Sequence, residues 1–211
     1  MTEDDAVQSL IDQLEDEARM DIPEEDTPDI GIIMGSDSDF DVMMGTEDNP
    51  GAYDALETLG FSEVTDYSQP PDNPFTFETY VVSAHRTPDL MYAYAGTASH
   101  RGLDVIIAGA GGKSADLPNM TASIAYPIPV IGVPVQEKSV DSVIGMPTGA
   151  PITAVDAGKS FNAALSAVQI LARRHETLLD RLDSYHQDLR TSVGDVSRDM
   201  HESGTFEFRR R

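Results

Sequence analysis

The chain has 211 residues, enough for one domain with appendages, and 40% of them are apolar, enough for a real core. Its 37 acidic side chains against 14 basic ones give a net charge of −23, a surface that repels nucleic acid and anionic membranes. It has no cysteine, which removes disulfides, thiolate metal sites and thiol nucleophiles, and no apolar run nears the roughly 20 residues that span a bilayer.

The first thirty residues lack the basic and apolar regions of a secretory signal, so a cytoplasmic protein is expected. Residues 1–28 read as an acidic extension and linker. Val7, Leu10, Ile11, Leu14 and Ala18 recur at helical spacing, which predicts an amphipathic helix over Asp5–Met20. Pro23 and Pro28 then break the pattern. Docking on the body or on a neighbouring subunit suits this helix better than catalysis. The first 29 residues hold twelve acids against Arg19 alone, yet the other 182 still carry −12. Only Lys113, Lys138 and Lys159 are lysines. Lysine poverty along the whole chain favours a solvated acidic surface suited to high salt over a merely disordered acidic tail.

From Asp29 the pattern changes. Ile30–Met34, Phe77–Ser83, Asp104–Ala108 and Val130–Val135 read as short, nearly continuous apolar strands. Helical segments are predicted between them at Asp39–Met44, Ala52–Leu59, Pro88–His100 and Leu117–Ala125. Apolar strands alternating with helices predict a doubly wound α/β sandwich around a parallel sheet. A stripe through Phe161, Leu165, Val168, Leu171, Leu178, Leu182, Tyr185 and Leu189 predicts one long C-terminal helix from about Gly158 to Arg190. It exceeds what a small sheet covers, so its far end is expected to pack on another subunit. The body is therefore drawn at 29–190, with residues 191–211 as a frayed tail.

Ligands of open α/β sheets bind beyond the carboxyl ends of the strands, and three unusual loops begin there. Gly35-Ser36-Asp37-Ser38-Asp39 offers backbone N–H groups and hydroxyls that suit a phosphate, and Asp39 could accept from ribose hydroxyls. The plainer role of Ser36 or Ser38 is a helix N-cap. Ser83-Ala84-His85-Arg86-Thr87-Pro88 puts a forked, permanently charged donor beside a histidine suited to moving a proton at neutral pH. Taken singly, such a His-Arg pair is more often surface solvation; its place after a strand argues otherwise. Pro88 suits the first turn of a helix. Gly109-Ala110-Gly111-Gly112-Lys113-Ser114 lacks phosphate-loop spacing, but its glycines permit close backbone approach to a ligand. Three such strand ends in one sheet point to a shared phosphate-bearing ligand.

These stretches together resemble the N5-carboxyaminoimidazole ribonucleotide mutase family of purine biosynthesis. The matching pieces are IIMGSDSD (32–39), VVSAHRTPD (81–89), VIIAGAGG (105–112), LPNM (117–120), PVIGVPVQ (129–136), MPTGAPITAV (146–155) and GKSFNAALSAVQILA (158–172). The resemblance implies a three-layer αβα subunit of flavodoxin-like or Rossmann-like type, a homo-octamer with sites at subunit interfaces, and no metal or organic cofactor. It implies a small-molecule ribonucleotide substrate, with no nucleic acid or membrane partner. Carried over, Ser36, Ser38, Ser83 and Arg86 contact the phosphate region and Asp39 the ribose. His85 transfers the proton, and the Gly109, Ala110, Gly111 and Gly112 backbone surrounds the moving carboxylate.

The chain departs from the family pattern in several places. The usual GAGGAAHLPG loop reads GAGGKSADLPN, one residue longer, with Asp116 where a histidine is usual. Thr148 stands for the arginine of MPRG, and residues 46–51 and 66–74 read as solvated insertions. The competing readings are a carboxylase acting on aminoimidazole ribonucleotide and free CO2, the related carboxylase of nickel-pincer cofactor synthesis, and a non-catalytic nucleotide-binding module.

Overall fold

The computed structural model describes residues 6–23 and 26–210. They form two compact units, divided between Leu171 and Ala172. In the first, β1 (Ile30–Met34), β5 (Thr76–Val81), β6 (Val105–Ala110) and β7 (Val130–Pro134) are joined by the two-residue edge strands β4 (Ser62–Glu63) and β8 (Thr153–Ala154). The sheet order is β4-β5-β1-β6-β7-β8, and every pair is parallel. β1 and β6 are buried at every position, as strands covered on both faces must be. Apart from the β4 edge, this is the flavodoxin order, whose direction of winding reverses between β1 and β6.

Helices cover both faces. These are α2 (Phe40–Met44), α3 (Ala52–Thr58), α4 (Pro88–Thr97), α5 (Leu117–Ile124), α6 (Val140–Ile144) and α7 (Ser160–Leu171). Alternation along the strands assigns the faces. Gly31 of β1 lies under Tyr94 of α4, where an added Cβ would sit 2.2 Å from the tyrosine hydroxyl. Gly109 of β6 lies on the other face under Met43 of α2, 2.6 Å from its sulfur by the same measure.

The acidic extension supplies α1 (Ala6–Glu17), which packs on α4. Leu14 is fully buried in the α4–α5 core, with Val7, Leu10 and Ile11 packed beside it. The expected docked helix is present; Asp5 and residues 24–25 of the linker lie outside the described residues. A hairpin of β2 (Gly45–Thr46) and β3 (Asn49–Pro50) occupies the first insertion. The second insertion is only partly solvated, because Tyr67 is buried against the Arg101–Glu78 ion pair.

A long C-terminal helix is present as expected, but its bounds differ. Residues 158–190 are not one helix: α7 ends at Leu171, and α8 runs from Glu176 to Ser203 with His175 as an extended N-cap. Leu171 and Leu178 are seven residues apart, so the apolar period runs straight through the break and conceals it. In the second unit α8 continues through residues 191–203, where an irregular tail was expected, and α9 (Thr205–Phe208) follows. Leu189, Val193, Val196 and Met200 of α8 are exposed. Arg211 lies outside the described residues. No helix among the described residues is long and apolar enough to cross a membrane.

Candidate active site

β1, β5 and β6 end side by side, with Met34 in register with both Val81 and Gly109. The three loops that follow them therefore converge at the point where the winding reverses. They line a cleft of 410 Å³, within the range of small-ligand sites. Its walls include Ser36, Ser38, Asp39, Ser83, His85, Arg86, Ala110, Gly111 and Gly112, so nine of the ten expected site residues meet in one place. Gly109 does not line it, because its side-chain face is turned to Met43 of α2.

The first loop tightens at once into a 3-10 turn, Asp37–Asp39. Ser36 is its N-cap: its hydroxyl accepts from the Ser38 N–H at 3.4 Å and donates to Asp37 Oδ1 at 2.9 Å. Capping and cleft lining are thus combined in Ser36, whereas Ser38 caps nothing. Asp39 is 6% exposed. Burial raises its carboxyl pKa above the usual range, and a backbone hydrogen bond at Ser36 and the Arg86 charge pull the other way. Gly111 faces it so closely that an added Cβ would lie 2.9 Å from Asp39 Oδ1. A side chain at 111 would have to displace the carboxylate.

The second loop is braced by its own hydroxyls. Ser83 N–H donates to Thr87 Oγ1 at 2.9 Å, and Arg86 N–H donates to Ser83 Oγ at 3.2 Å. Thr87 is the N-cap of α4, with Pro88 in its first turn as the sequence predicts. Arg86 reaches across to the first loop, where Nη2 donates to the Gly35 carbonyl at 2.7 Å. This contact spends one edge of the guanidinium and ties the two loops together, while the fork retains donors for an anion.

The third loop carries the departures. Lys113 is exposed and does not line the cleft; Ser114 and Asp116 do. Asp116 is the N-cap of α5 but makes no side-chain cap hydrogen bond, forgoing a contribution of about 1 kcal/mol. Its oxygens are used elsewhere. Oδ2 lies 3.2 Å from His85 Nε2, and Oδ1 accepts from Ser142 Oγ at 2.7 Å. Ser142 belongs to α6, whose backbone also accepts from Asn119 Nδ2 of α5 at 2.8 Å. Residue Thr148 is exposed, and nothing in the structure explains its replacement of arginine.

Gln136 and Lys138 also line the cleft and were not singled out in the sequence. Gln136 follows the carboxyl end of β7, so the strand-end rule reaches it. Lys138 sits in a second 3-10 turn, Glu137–Ser139, whose pattern resembles ordinary surface. Chemically, the cleft offers an anion seat at Arg86 and the small-residue loops, a buried carboxylate for hydroxyls, and a histidine able to carry a proton.

The chain resembles known proteins in sequence and in fold. The family profile described as AIR carboxylase matches residues 29–192. An N5-carboxyaminoimidazole ribonucleotide mutase of Synechocystis sp. is 40% identical over 184 residues, which cover 84% of this chain and 92% of that protein. The chloroplastic phosphoribosylaminoimidazole carboxylase of Vigna aconitifolia is 40% identical over 170 residues, 78% of this chain but 27% of that protein. Among solved structures, Treponema denticola PurE matches with a TM-score of 0.64 at 20% identity, covering 81% of this chain and 97% of that one. That likeness bears on the fold alone.

Proposed function

The chain belongs to the AIR carboxylase family, and on that ground we propose that it interconverts N5-carboxyaminoimidazole ribonucleotide and 4-carboxy-5-aminoimidazole ribonucleotide in purine biosynthesis. The observation that carries this reading is the convergence of three strand-end loops on one cleft, with His85 beside Arg86. Arg86, Ser36, Ser38 and Ser83 hold the phosphate region, and Asp39 accepts from the ribose. Catalysis is assigned to residues 29–190.

The chemistry follows from those positions. The carbamate C–N bond breaks, its electron pair returns to nitrogen, and nitrogen takes a proton from His85. CO2 is released inside the cleft beside the Ala110–Gly112 backbone. Ring carbon 4 then attacks it, forming a C–C bond, and the proton on that carbon passes to His85. The proton count balances, so one histidine serves as acid and then as base. The first half is a decarboxylation of lyase type, and the second restores the carboxyl group.

Such a step requires water to be kept out and CO2 kept in. With His85 58% exposed, one subunit leaves the cleft open. We therefore propose a homo-octamer in which neighbours complete the cover. Exposed Tyr92, Tyr126 and Ile144 in the first unit, and the apolar face of α8, offer contact surfaces. Light scattering should give eight times the chain mass; a monomer with full activity would remove this part. The −23 charge fits a cytoplasm of high salt.

Direct carboxylation of aminoimidazole ribonucleotide is not favoured. The decisive assay supplies the carbamate nucleotide with and without bicarbonate and follows the C-carboxylated product. A rate independent of bicarbonate supports the mutase, whereas an absolute bicarbonate requirement would establish the carboxylase. Nucleotide binding with no turnover under either condition would leave only a binding module.

A further inference from the structure

The departure at the third loop is tied directly to the proposed acid–base residue. Asp116 stands where the family pattern has a histidine, and its two oxygens bridge His85 Nε2, at 3.2 Å, and the Ser142 hydroxyl, at 2.7 Å. We propose that Asp116 is a positioning residue that sets the orientation and tautomer of His85, and that Ser142 in turn fixes Asp116. The proposal rests on the mutase reading for its kinetic consequence, but the contact itself belongs to the free protein.

A carboxylate only accepts hydrogen bonds, so the 3.2 Å separation is favourable when the facing ring nitrogen carries the proton. Asp116 therefore holds His85 as the Nε2–H tautomer and leaves the lone pair on Nδ1. In the cycle above, the imidazolium, protonated on both ring nitrogens, gives its Nδ1 proton to the carbamate nitrogen, and the neutral Nε2–H form that remains later takes the proton from ring carbon 4 on Nδ1. The Nε2–H proton stays between ring and carboxylate throughout. No other bond changes, and no further reactant enters. A carboxylate oriented by a third group is a recurrent way of fixing an imidazole that must both give and accept a proton.

Three features separate this from a chance surface contact. Asp116 makes no cap hydrogen bond with α5, although it sits at the position where its side chain would ordinarily do so. Its second oxygen is held by a residue of a different helix, α6. Asn119, in the first turn of α5, also donates to the Ser142 carbonyl, so α5 and α6 are fixed together around the carboxylate. The extra residue in the loop accompanies this shorter side chain, and both changes fall on the stretch that reaches His85.

The test uses the full chain and the variants Asp116→Ala and Ser142→Ala, with melting temperature as a check on folding. The tautomer of His85 is read from its ring nitrogen-15 shifts in the free protein. Steady-state rates are measured with the carbamate nucleotide. The expected result is a dominant Nε2–H tautomer in the wild type and a mixed population in Asp116→Ala. In that variant kcat falls roughly 10- to 100-fold while KM stays within about threefold. Ser142→Ala shifts both readings in the same direction by a smaller amount. An unchanged His85 tautomer, or a kcat within about twofold of wild type in a folded Asp116→Ala protein, overturns the proposal. If the wild type shows no turnover but the tautomer still changes, the contact stands and the mutase reading falls.

Discussion

The guanidinium of Arg86 donates to the carbonyl of Gly35 at 2.7 Å, joining loops that are 51 residues apart in sequence. One side chain thereby closes two walls of the cleft and faces the expected anion. Lysine keeps the charge but loses the fork that makes both contacts. Arg86→Lys is expected to weaken binding of the product nucleotide by roughly 10- to 100-fold, the size of one or two charge-assisted hydrogen bonds. Titration calorimetry measures this, and unchanged affinity would take Arg86 out of the anion seat.

Asp39 yields a prediction in which stability and activity move in opposite directions. Its carboxyl pKa is raised, chiefly by burial, so its contribution to stability is present below the unfolded carboxylate range and is lost as pH rises through the folded value. At neutral pH the buried charge therefore works against the fold. Asp39→Asn should melt higher than wild type at pH 7, with the gap closing as pH falls toward 4. Turnover should drop about tenfold or more through loss of the ribose acceptor. A variant less stable at pH 7 would contradict the assigned cost of this charge.

The buried cation away from the cleft has a different role. Arg101 is 1% exposed, and its Nη1 donates to both Glu78 oxygens at 2.6 Å and to the Tyr67 hydroxyl at 3.0 Å. Its guanidinium also lies 4.7 Å from the Tyr94 ring centre. Removing one member leaves a buried charge without its partner. Arg101→Ala is expected to cost about 3–5 kcal/mol in urea unfolding. A loss below about 1 kcal/mol would mean that water replaces the arginine.

The net charge of −23 sets the response to salt. Self-repulsion operates over a Debye length of about 10 Å at 0.1 M salt and about 3 Å at 1 M. Melting temperature should rise steeply with KCl across that range. A flat response would assign the acidity to its local roles alone.

The sheet was legible because β1, β6 and β7 are short, nearly unbroken apolar runs alternating with helical segments, the pattern of a doubly covered parallel sheet. β4 and β8 were not, since two residues carry no period. The cleft was legible through the strand-end rule, which located nine residues but could not tell that Gly109 faces Met43 on the other side of the sheet. The break between α7 and α8 was hidden because the spacing from Leu171 to Leu178 preserves the helical phase. Tyr67 was read as loop, because an isolated aromatic residue among Pro and Asp does not announce the buried arginine that it meets. Asp116 was visible as a departure, but its contact with His85 depends on the path of the glycine loop, which no local spacing encodes.

The central claim is that His85 carries the proton in a mutase cycle, and one paired measurement addresses it. His85→Asn is compared with wild type for conversion of the carbamate nucleotide and for binding of the product nucleotide. The expected result is binding within about threefold of wild type and a turnover reduced by roughly 10²- to 10⁴-fold. A His85→Asn protein that binds normally and turns over at a near wild-type rate would contradict the account.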